Sequence, residues 1–351
     1  MTSTSTFTEY LAQRLPLVEE ALSRVAAAPF ADAGARTARD LDGYLYGPLA
    51  RFTAGGGKRV RPVLALLGAE AAGGRAEQAL SAGVAIELFQ SAALVHDDIA
   101  DESELRRGEP CLYLTEGTGI ATNVGDLALV QVFEIVLEDA ALPAERKLRV
   151  LEELVRMERH TLEGQALDLG WARDDRWDIA SEDYLYMVRG KTAWYSAASP
   201  LYVGALAAGA SDETARGLID VGMHAGVAFQ IQDDLLNLVG DAAAQGKDFR
   251  SDITEGKRTL AVVTALEALE PSLRDELIAL LRSGTKDAGE LARAVELIEQ
   301  GGGIARCRDL AAQETDTAQK CARTLAGAGS ITPEACELLC SMAAFFVERA
   351  S

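Results

Sequence analysis

The sequence predicts an all-α fold, and three observations carry that expectation. Apolar residues recur at threes and fours over most of the 351 residues. The composition is rich in Ala and Leu while aromatic residues make up only 6%, a balance that favours close-packed helices over aromatic-rich strands. No convincing run of alternating apolar and polar residues marks a strand. With 48% apolar residues a large core can be buried. Neither a short-period repeat nor a Pro/Ser linker divides the chain. The expectation is one domain over 1–351: a bundle of ten or more helices around a central cavity, behind a tail over residues 1–8.

In chain order, the apolar spacing predicts a helix over Tyr10–Ala27, then a Gly-rich turn at Gly55–Gly57 and an apolar helix from Pro62. A further helix over Glu77–Asp101 holds no Gly or Pro except Gly83. More follow near Ala140–Gly164, Glu182–Ala208, Asp212–Gly240, Leu260–Leu281, Ala288–Gln300 and Pro333–Ala350. Three irregular segments, Gly55–Pro62, Glu102–Tyr113 and Gly240–Thr259, carry clustered basic residues within an acidic chain. Each adjoins a helix end, where side chains reach a shared cavity.

The net charge is −20, from 54 acidic and 34 basic residues, which argues against a nucleic-acid partner. Five Cys stand without zinc-ribbon or Cys-x-x-Cys spacing, and three His cannot build a His-rich metal site. The start of the chain lacks the basic and apolar regions of a signal peptide. No stretch approaches ~20 uninterrupted apolar residues, so the expectation is a cytoplasmic protein with no stable membrane span.

Two acidic clusters close apolar helices. Asp97-Asp98-Ile99-Ala100-Asp101 follows Ile86–Val95. Asp97 and Asp101, four apart, share a helix face, where two like charges destabilise a bare helix by a few tenths of a kcal/mol. A bound cation reverses that sign. Asp233-Asp234-Leu235-Leu236-Asn237 repeats the spacing after Val227–Ile231. Oxygen-only donors on two helices suit Mg²⁺ held together with phosphate oxygens. Arg106 and Arg107 follow the first cluster, and Lys247, Arg250, Lys257 and Arg258 the second, a pattern of metal plus polyanion. A single such cluster is more often a solvated helix end; two, each followed by bases, are not. Gly55–Lys58 fails the P-loop pattern, since Phe52 stands at its first Gly and Arg59 follows Lys58. It reads instead as a turn that lets Lys58 and Arg61 converge on a diphosphate. Gly190-Lys191-Thr192 alone reads as helix surface, and Gln165 with Asp168 as a buried hydrogen-bonded pair. His96 reads as a packed histidine.

Taken in order, Gly-Gly-Lys-Arg-Val-Arg-Pro, His-Asp-Asp-Ile-Ala-Asp, Arg-Arg-Gly-Glu-Pro, Gly-Gln-Ala-Leu-Asp-Leu, Gly-Lys-Thr, Phe-Gln-Ile-Gln-Asp-Asp-Leu-Leu-Asn, Gly-Lys-Asp and Asp-Ile-Thr-Glu-Gly-Lys-Arg-Thr resemble the trans-polyprenyl diphosphate synthases. The resemblance spans Gly55 to Thr259. It implies the isoprenoid-synthase fold, a homodimer, and head-to-tail joining of isopentenyl diphosphate to an allylic diphosphate (dimethylallyl, geranyl or farnesyl). Asp97 and Asp101 would hold two Mg²⁺ and Asp233 a third, three ions in all. Arg106, Lys191, Thr192, Gln230, Lys247 and Lys257 would hold the allylic diphosphate, with Arg106 and Lys191 counted among the catalytic residues. Lys58, Arg61 and Arg107 would bind isopentenyl diphosphate. Gln90 stands where many members place a His, and Asn237 where they place an Asp, so Asn237 is not expected to ligate metal. Asp252 matches a position near the lid.

The chemistry so implied breaks the allylic C–O bond to a carbocation, which the isopentenyl alkene attacks. The departing diphosphate takes the proton, because no side-chain base is evident. Water must be excluded, and the Gly240–Thr259 segment is the candidate lid. Product length is set by the apolar face before Asp97. Ala92 and Ala93 are small, and Phe89 is the first bulky plug on that side. One turn rises ~5.4 Å, about one isoprene unit, so the expected product is geranylgeranyl diphosphate (C20), with C25, C15 or C30 as alternatives. A class I terpene cyclase shares the ionisation chemistry but needs no second diphosphate site such as Lys58, Arg61 and Arg107. A non-catalytic subunit would have lost one of the acidic motifs. A di-iron bundle requires Glu-x-x-His, and no His here has Glu three residues before it.

Overall fold

A computed structural model of the protein describes residues 6–25, 34–240 and 249–348. The all-α expectation holds. Helices α1 (Phe7–Arg24), α2 (Ala35–Leu41), α3 (Gly47–Ala54), α4 (Val60–Ala71), α5 (Leu80–Ala100), α6 (Leu112–Glu116), α7 (Thr118–Glu138), α8 (Ala144–Arg173), α9 (Ser181–Val188), α10 (Ser199–Ala208) and α11 (Asp212–Val239) come first. Further helices span Ser251–Thr254, Leu260–Ala268, Pro271–Ser283, Ala288–Gln300, Gly303–Gly327 and Pro333–Val347. Of the tail expected over 1–8, residues 1–5 lie outside the described residues. Phe7 and Thr8 already belong to α1, and Phe7 is fully buried with its ring 5.4 Å from that of Phe345. An apolar residue with a prepared pocket overrides terminal fraying.

Three differences from the sequence reading have local causes. The expected helix Leu260–Leu281 is two, because Pro271 forces Glu270 into extended backbone (ψ 149) and then opens the next helix at its first position. The expected absence of strands is corrected by a two-residue ribbon, Leu105–Arg106 paired antiparallel with Glu109–Pro110. Its connecting residues Arg107 (φ 55) and Gly108 (φ 83) both lie at positive φ, as a two-residue type I′ hairpin requires. Four residues are too few to show alternation. Helices α7 and Gly303–Gly327 were not anticipated. Moreover α7, and the stretch Ala76–Ala100 that contains α5, are each long and apolar enough to cross a membrane by length and composition, although neither is an uninterrupted apolar run: Glu87 and Gln90 interrupt the second, Asp126 and Glu134 the first. The α5 window is 78% buried inside the protein and the α7 window 39%.

The chain forms two compact units. The first holds residues 8–156 and 199–215; the second holds Phe7, 157–198 and 216 onward. In the first, α4 and α10 touch backbone to backbone. A Cβ at Gly68 would lie 2.1 Å from Leu201 O, and one at Gly204 1.9 Å from Ala65 O, so any side chain would force the helices apart. In the second, Tyr184, Ile231, Leu235, Leu277 and Leu297 join one buried cluster that includes α9 and α11.

Candidate active site

In the first unit, Asp97, Asp98 and Asp101 stand at the C-terminal end of α5, where the helix macrodipole is already negative. Three carboxylates there repel both the dipole and one another, and a cation relieves all of these terms. Asp101 caps the helix, its N–H donating to Asp97 O at 2.8 Å. Asp97 is half-buried and Asp101 exposed. Asp98 points inward, 1% exposed, and Arg106 Nε donates to its Oδ1 at 2.9 Å. Arg106, expected on the allylic diphosphate, therefore commits part of its guanidinium to Asp98.

Along α5, Gln90, Ala93, Leu94 and Asp97 form a half-exposed stripe at helical spacing on a helix otherwise buried from Ser81 to Val95. Gln90, about two turns before Asp97, holds its Oε1 buried with no hydrogen bond. Ala93 lies on the stripe. Ala92 does not: it is fully buried in an apolar cluster with Leu49, Val124 and Ala128. Phe89 is 3% exposed. His96 packs on α7, its Nε2 3.4 Å from Thr122 O, as a packed histidine should.

The basic residues of this unit sort by burial. Arg59, at φ 47, is 3% exposed; its Nε reaches Glu19 at 2.8 Å and its Nη1 reaches Glu87 at 2.7 Å. It is a structural anchor that leaves its neighbours Lys58, exposed, and Arg61, half-buried, on either side. Arg107 lies under the glycine turn, where a Cβ on Gly57 would meet its Nη2 at 3.3 Å. Burial and the neighbouring Arg59, Arg106 and Arg61 push its guanidinium below the ordinary value. Like charges gathered this closely attract an anion. Arg106 and Arg107 also line a cavity of about 280 Å³ with Arg51, Phe52 and Gly55.

In the second unit, Asp233 and Asp234 occupy the last two turns of α11, again the negative end of a helix. A cavity of about 100 Å³ is lined by Asp168, Lys191, Thr192, Gln230, Asp234, Asp252 and Lys257, among others. Four residues expected on the allylic diphosphate, Lys191, Thr192, Gln230 and Lys257, thus share one cavity; Lys247 lies outside the described residues. Lys191 and Thr192 sit in a π-helix, Arg189–Ala198, a distortion common at functional sites. It packs on α8 where two glycines meet: a Cβ on Gly164 would lie 2.3 Å from Lys191 N.

Lys191 Nζ donates to Asp168, and Lys257 Nζ lies 3.4 Å from Asp252 and 2.7 Å from Glu255. Burial, then Asp252 and Asp233, push the Asp234 carboxyl up to about 7. Asp252 is raised by burial, against the pull of Lys257. Asn237 donates to Ser251 Oγ at 3.0 Å and accepts from Asp252 N at 3.2 Å. Its amide staples the following segment, which accounts for an Asn where a metal ligand would need charge. Sequence reasoning missed Tyr184 and Asp234 and undervalued Asp168. The repeated Asp-Asp pair was the available signal for Asp234.

Among the described residues no group of three or more His, Cys, Asp or Glu is placed to cage an ion. Mg²⁺ asks for less, one or two carboxylates with waters and substrate phosphates, and Asp97 with Asp101 supplies that donor type.

The polyprenyl synthetase family matches residues 42–298. The chain is 41% identical over 249 residues to a short chain isoprenyl diphosphate synthase of Methanothermobacter thermautotrophicus, covering 70% of this chain and 74% of that one. It is 37% identical over 311 residues to a geranylfarnesyl diphosphate synthase of Natronomonas pharaonis, covering 84% and 86%. Among solved structures it is similar to a geranylgeranyl pyrophosphate synthetase from Pyrococcus horikoshii (TM-score 0.85, 31% identity, 98% and 99% covered). It is also similar to a geranylgeranyl pyrophosphate synthase from Corynebacterium glutamicum complexed with isoprenyl diphosphate and magnesium (TM-score 0.80, 30% identity, 98% of each chain covered).

Proposed function

The chain belongs to the polyprenyl synthetase family, and we propose that its prenyl condensation yields geranylgeranyl diphosphate (C20) with Mg²⁺ as cofactor. It is a prenyltransferase that extends an allylic diphosphate with isopentenyl diphosphate. The observation that carries the site assignment is the second unit's cavity, where Lys191, Thr192, Gln230 and Lys257 meet. Two ammonium groups, a hydroxyl and an amide match the oxygens of a diphosphate.

Asp97 and Asp101 in the first unit would hold two Mg²⁺ and Asp233 in the second a third, and the ions when bound would neutralise the charge of the leaving group. Lys191 and Lys257 exchange their carboxylate partners for diphosphate oxygens as charge builds there. Lys247 and Arg106 complete the allylic set. Lys58, Arg61 and Arg107 bind isopentenyl diphosphate, and Gln90 contributes an amide. The small Ala93 on the Asp97 stripe admits a tail past the first turn, and buried Phe89 bounds it, which favours C20. C25 is the second reading, favoured by the high coverage of the geranylfarnesyl relative. A homodimer is supported by Leu148, Val155, Leu162 and Leu169, which recur every seven residues on α8 and stay 42–64% exposed.

Labelled isopentenyl diphosphate, incubated with each allylic starter and Mg²⁺ and followed by mass spectrometry, tests the assignment. Incorporation ending at C20 is expected. Release of a hydrocarbon without label would make the protein a terpene cyclase, and product ending at C25 would overturn the chain length alone.

A further inference from the structure

Tyr184 carries no motif, yet it is the largest fully buried side chain of the described residues, 1% exposed on α9. Its ring packs in the apolar cluster of the second unit, while its hydroxyl donates to Asp234 Oδ2 at 2.5 Å. Gln230 Nε2 donates to the other oxygen, Oδ1, at 2.7 Å. Both oxygens of Asp234 are thus held by neutral donors, a phenol and an amide. The two ammonium groups lining the same cavity are held by other carboxylates: Lys191 by Asp168, Lys257 by Asp252 and Glu255.

This division of partners has a chemical consequence. Asp234 is half-buried, and a carboxylate partly withdrawn from water needs donors, because an unpaired charge there is costly. Left without a phenol, Asp234 would take the nearest strong donor in its cavity, a lysine ammonium. That lysine would then be less available to a diphosphate. The phenol also ties α11 to α9. Asp233 and Asp234 are successive residues of one helix, so their side chains point about 100° apart. Pinning Asp234 inward fixes the direction in which Asp233 is presented.

We propose that Tyr184 is a positioning residue for prenyl transfer, acting through Asp234 to keep Lys191 and Lys257 available to the allylic diphosphate and to orient Asp233. This rests on the assignment of the second unit's cavity to the allylic diphosphate. Tyr184 also lines that cavity, but in this account its hydroxyl acts through Asp234 and not on the substrate or the metal. The phenol of an otherwise core tyrosine is what the reaction requires, and the ring is what the fold requires.

Tyr184→Phe removes only the hydroxyl. The expected result is a KM for the allylic diphosphate raised about tenfold to a hundredfold, the worth of one hydrogen bond to a charged group. The KM for isopentenyl diphosphate, whose residues Lys58, Arg61 and Arg107 lie in the first unit, stays within about twofold. Calorimetric titration with farnesyl thiolodiphosphate, with and without Mg²⁺, should show the same weakening without turnover. On an Asp234→Asn background, Tyr184→Phe should add nothing. An unchanged allylic KM in Tyr184→Phe, equal changes for both substrates, or a full additional loss on the Asp234→Asn background would each overturn the proposal. If Tyr184→Phe alone does not fold, Asp234→Asn is compared with the double variant, which buries no orphaned carboxylate. Equal allylic KM values support the proposal and unequal ones refute it. Wild-type protein that incorporates no isopentenyl diphosphate defeats the prenyl-transfer assignment instead, a result independent of Tyr184.

Discussion

Glu158, on α8, is half-buried, and its Oε1 is buried with no hydrogen bond. Burial alone pushes its carboxyl up to about 7 from the ordinary 4.5. The folded state therefore binds this proton more tightly than the unfolded state. At pH 4 the side chain is mostly neutral in both and costs little extra. As pH rises from 4.5 to 7 the unfolded chain ionises first, and folding loses stability. Above pH 7 both states are ionised and the folded state is penalised by about 3 kcal/mol. Glu158→Gln keeps the size and removes the charge. Thermal unfolding of variant and wild type, measured from pH 4.5 to 8.5, should give a stabilisation near zero at the acid end. It should grow to about 3 kcal/mol, or roughly 5 °C, at the basic end. A difference that is constant with pH, or that shrinks as pH rises, would refute the reasoning, because only ionisation of Glu158 produces the slope.

Three other expectations follow from the same geometry. Arg59→Met should lower stability by about 3–5 kcal/mol in denaturant titrations, since Glu87, 4% exposed, is left buried without its partner; a loss under 1 kcal/mol would mean that Glu87 reaches water. Asp97→Asn or Asp101→Asn should cut kcat at least a hundredfold and raise the Mg²⁺ concentration needed for half-maximal rate, while leaving the melting temperature equal or higher because repulsion at the end of α5 falls; a lower melting temperature would contradict the repulsion argument. Phe89→Ala should lengthen the product by one or more isoprene units, read by mass spectrometry of the hydrolysed alcohols; unchanged length would show that Phe89 is not the floor.

Much of the site was readable before any coordinates. The two acidic clusters at helix ends were legible because local stability rewards neither: each sets like charges against the other and against the helix dipole. Lys191, Thr192, Gln230 and Lys257 were reached by the resemblance, and the second unit gathers all four around one cavity. Other features left little trace in composition or spacing. Asp98 is chemically identical to Asp97, yet it faces inward to Arg106. Ala92 and Ala93 look alike in sequence, but one is sealed against Val124 and Ala128 and the other stays on the open stripe. The π-helix at Lys191 depends on the contact between Gly164 and the 190–191 backbone, 26 or more positions away.

By itself the sequence determined that this chain is helical, where many of its helices lie, and that its helix ends carry metal-type acids beside phosphate-type bases. Periodicity, end charges and turn residues are local properties, written within a turn or two of chain. Tertiary structure alone decided which member of each pair does what: which aspartate is buried, which arginine is an anchor, and which tyrosine holds Asp234. Those choices are made by burial and by donors from distant positions, and a side chain's partners in space have no fixed spacing along the chain.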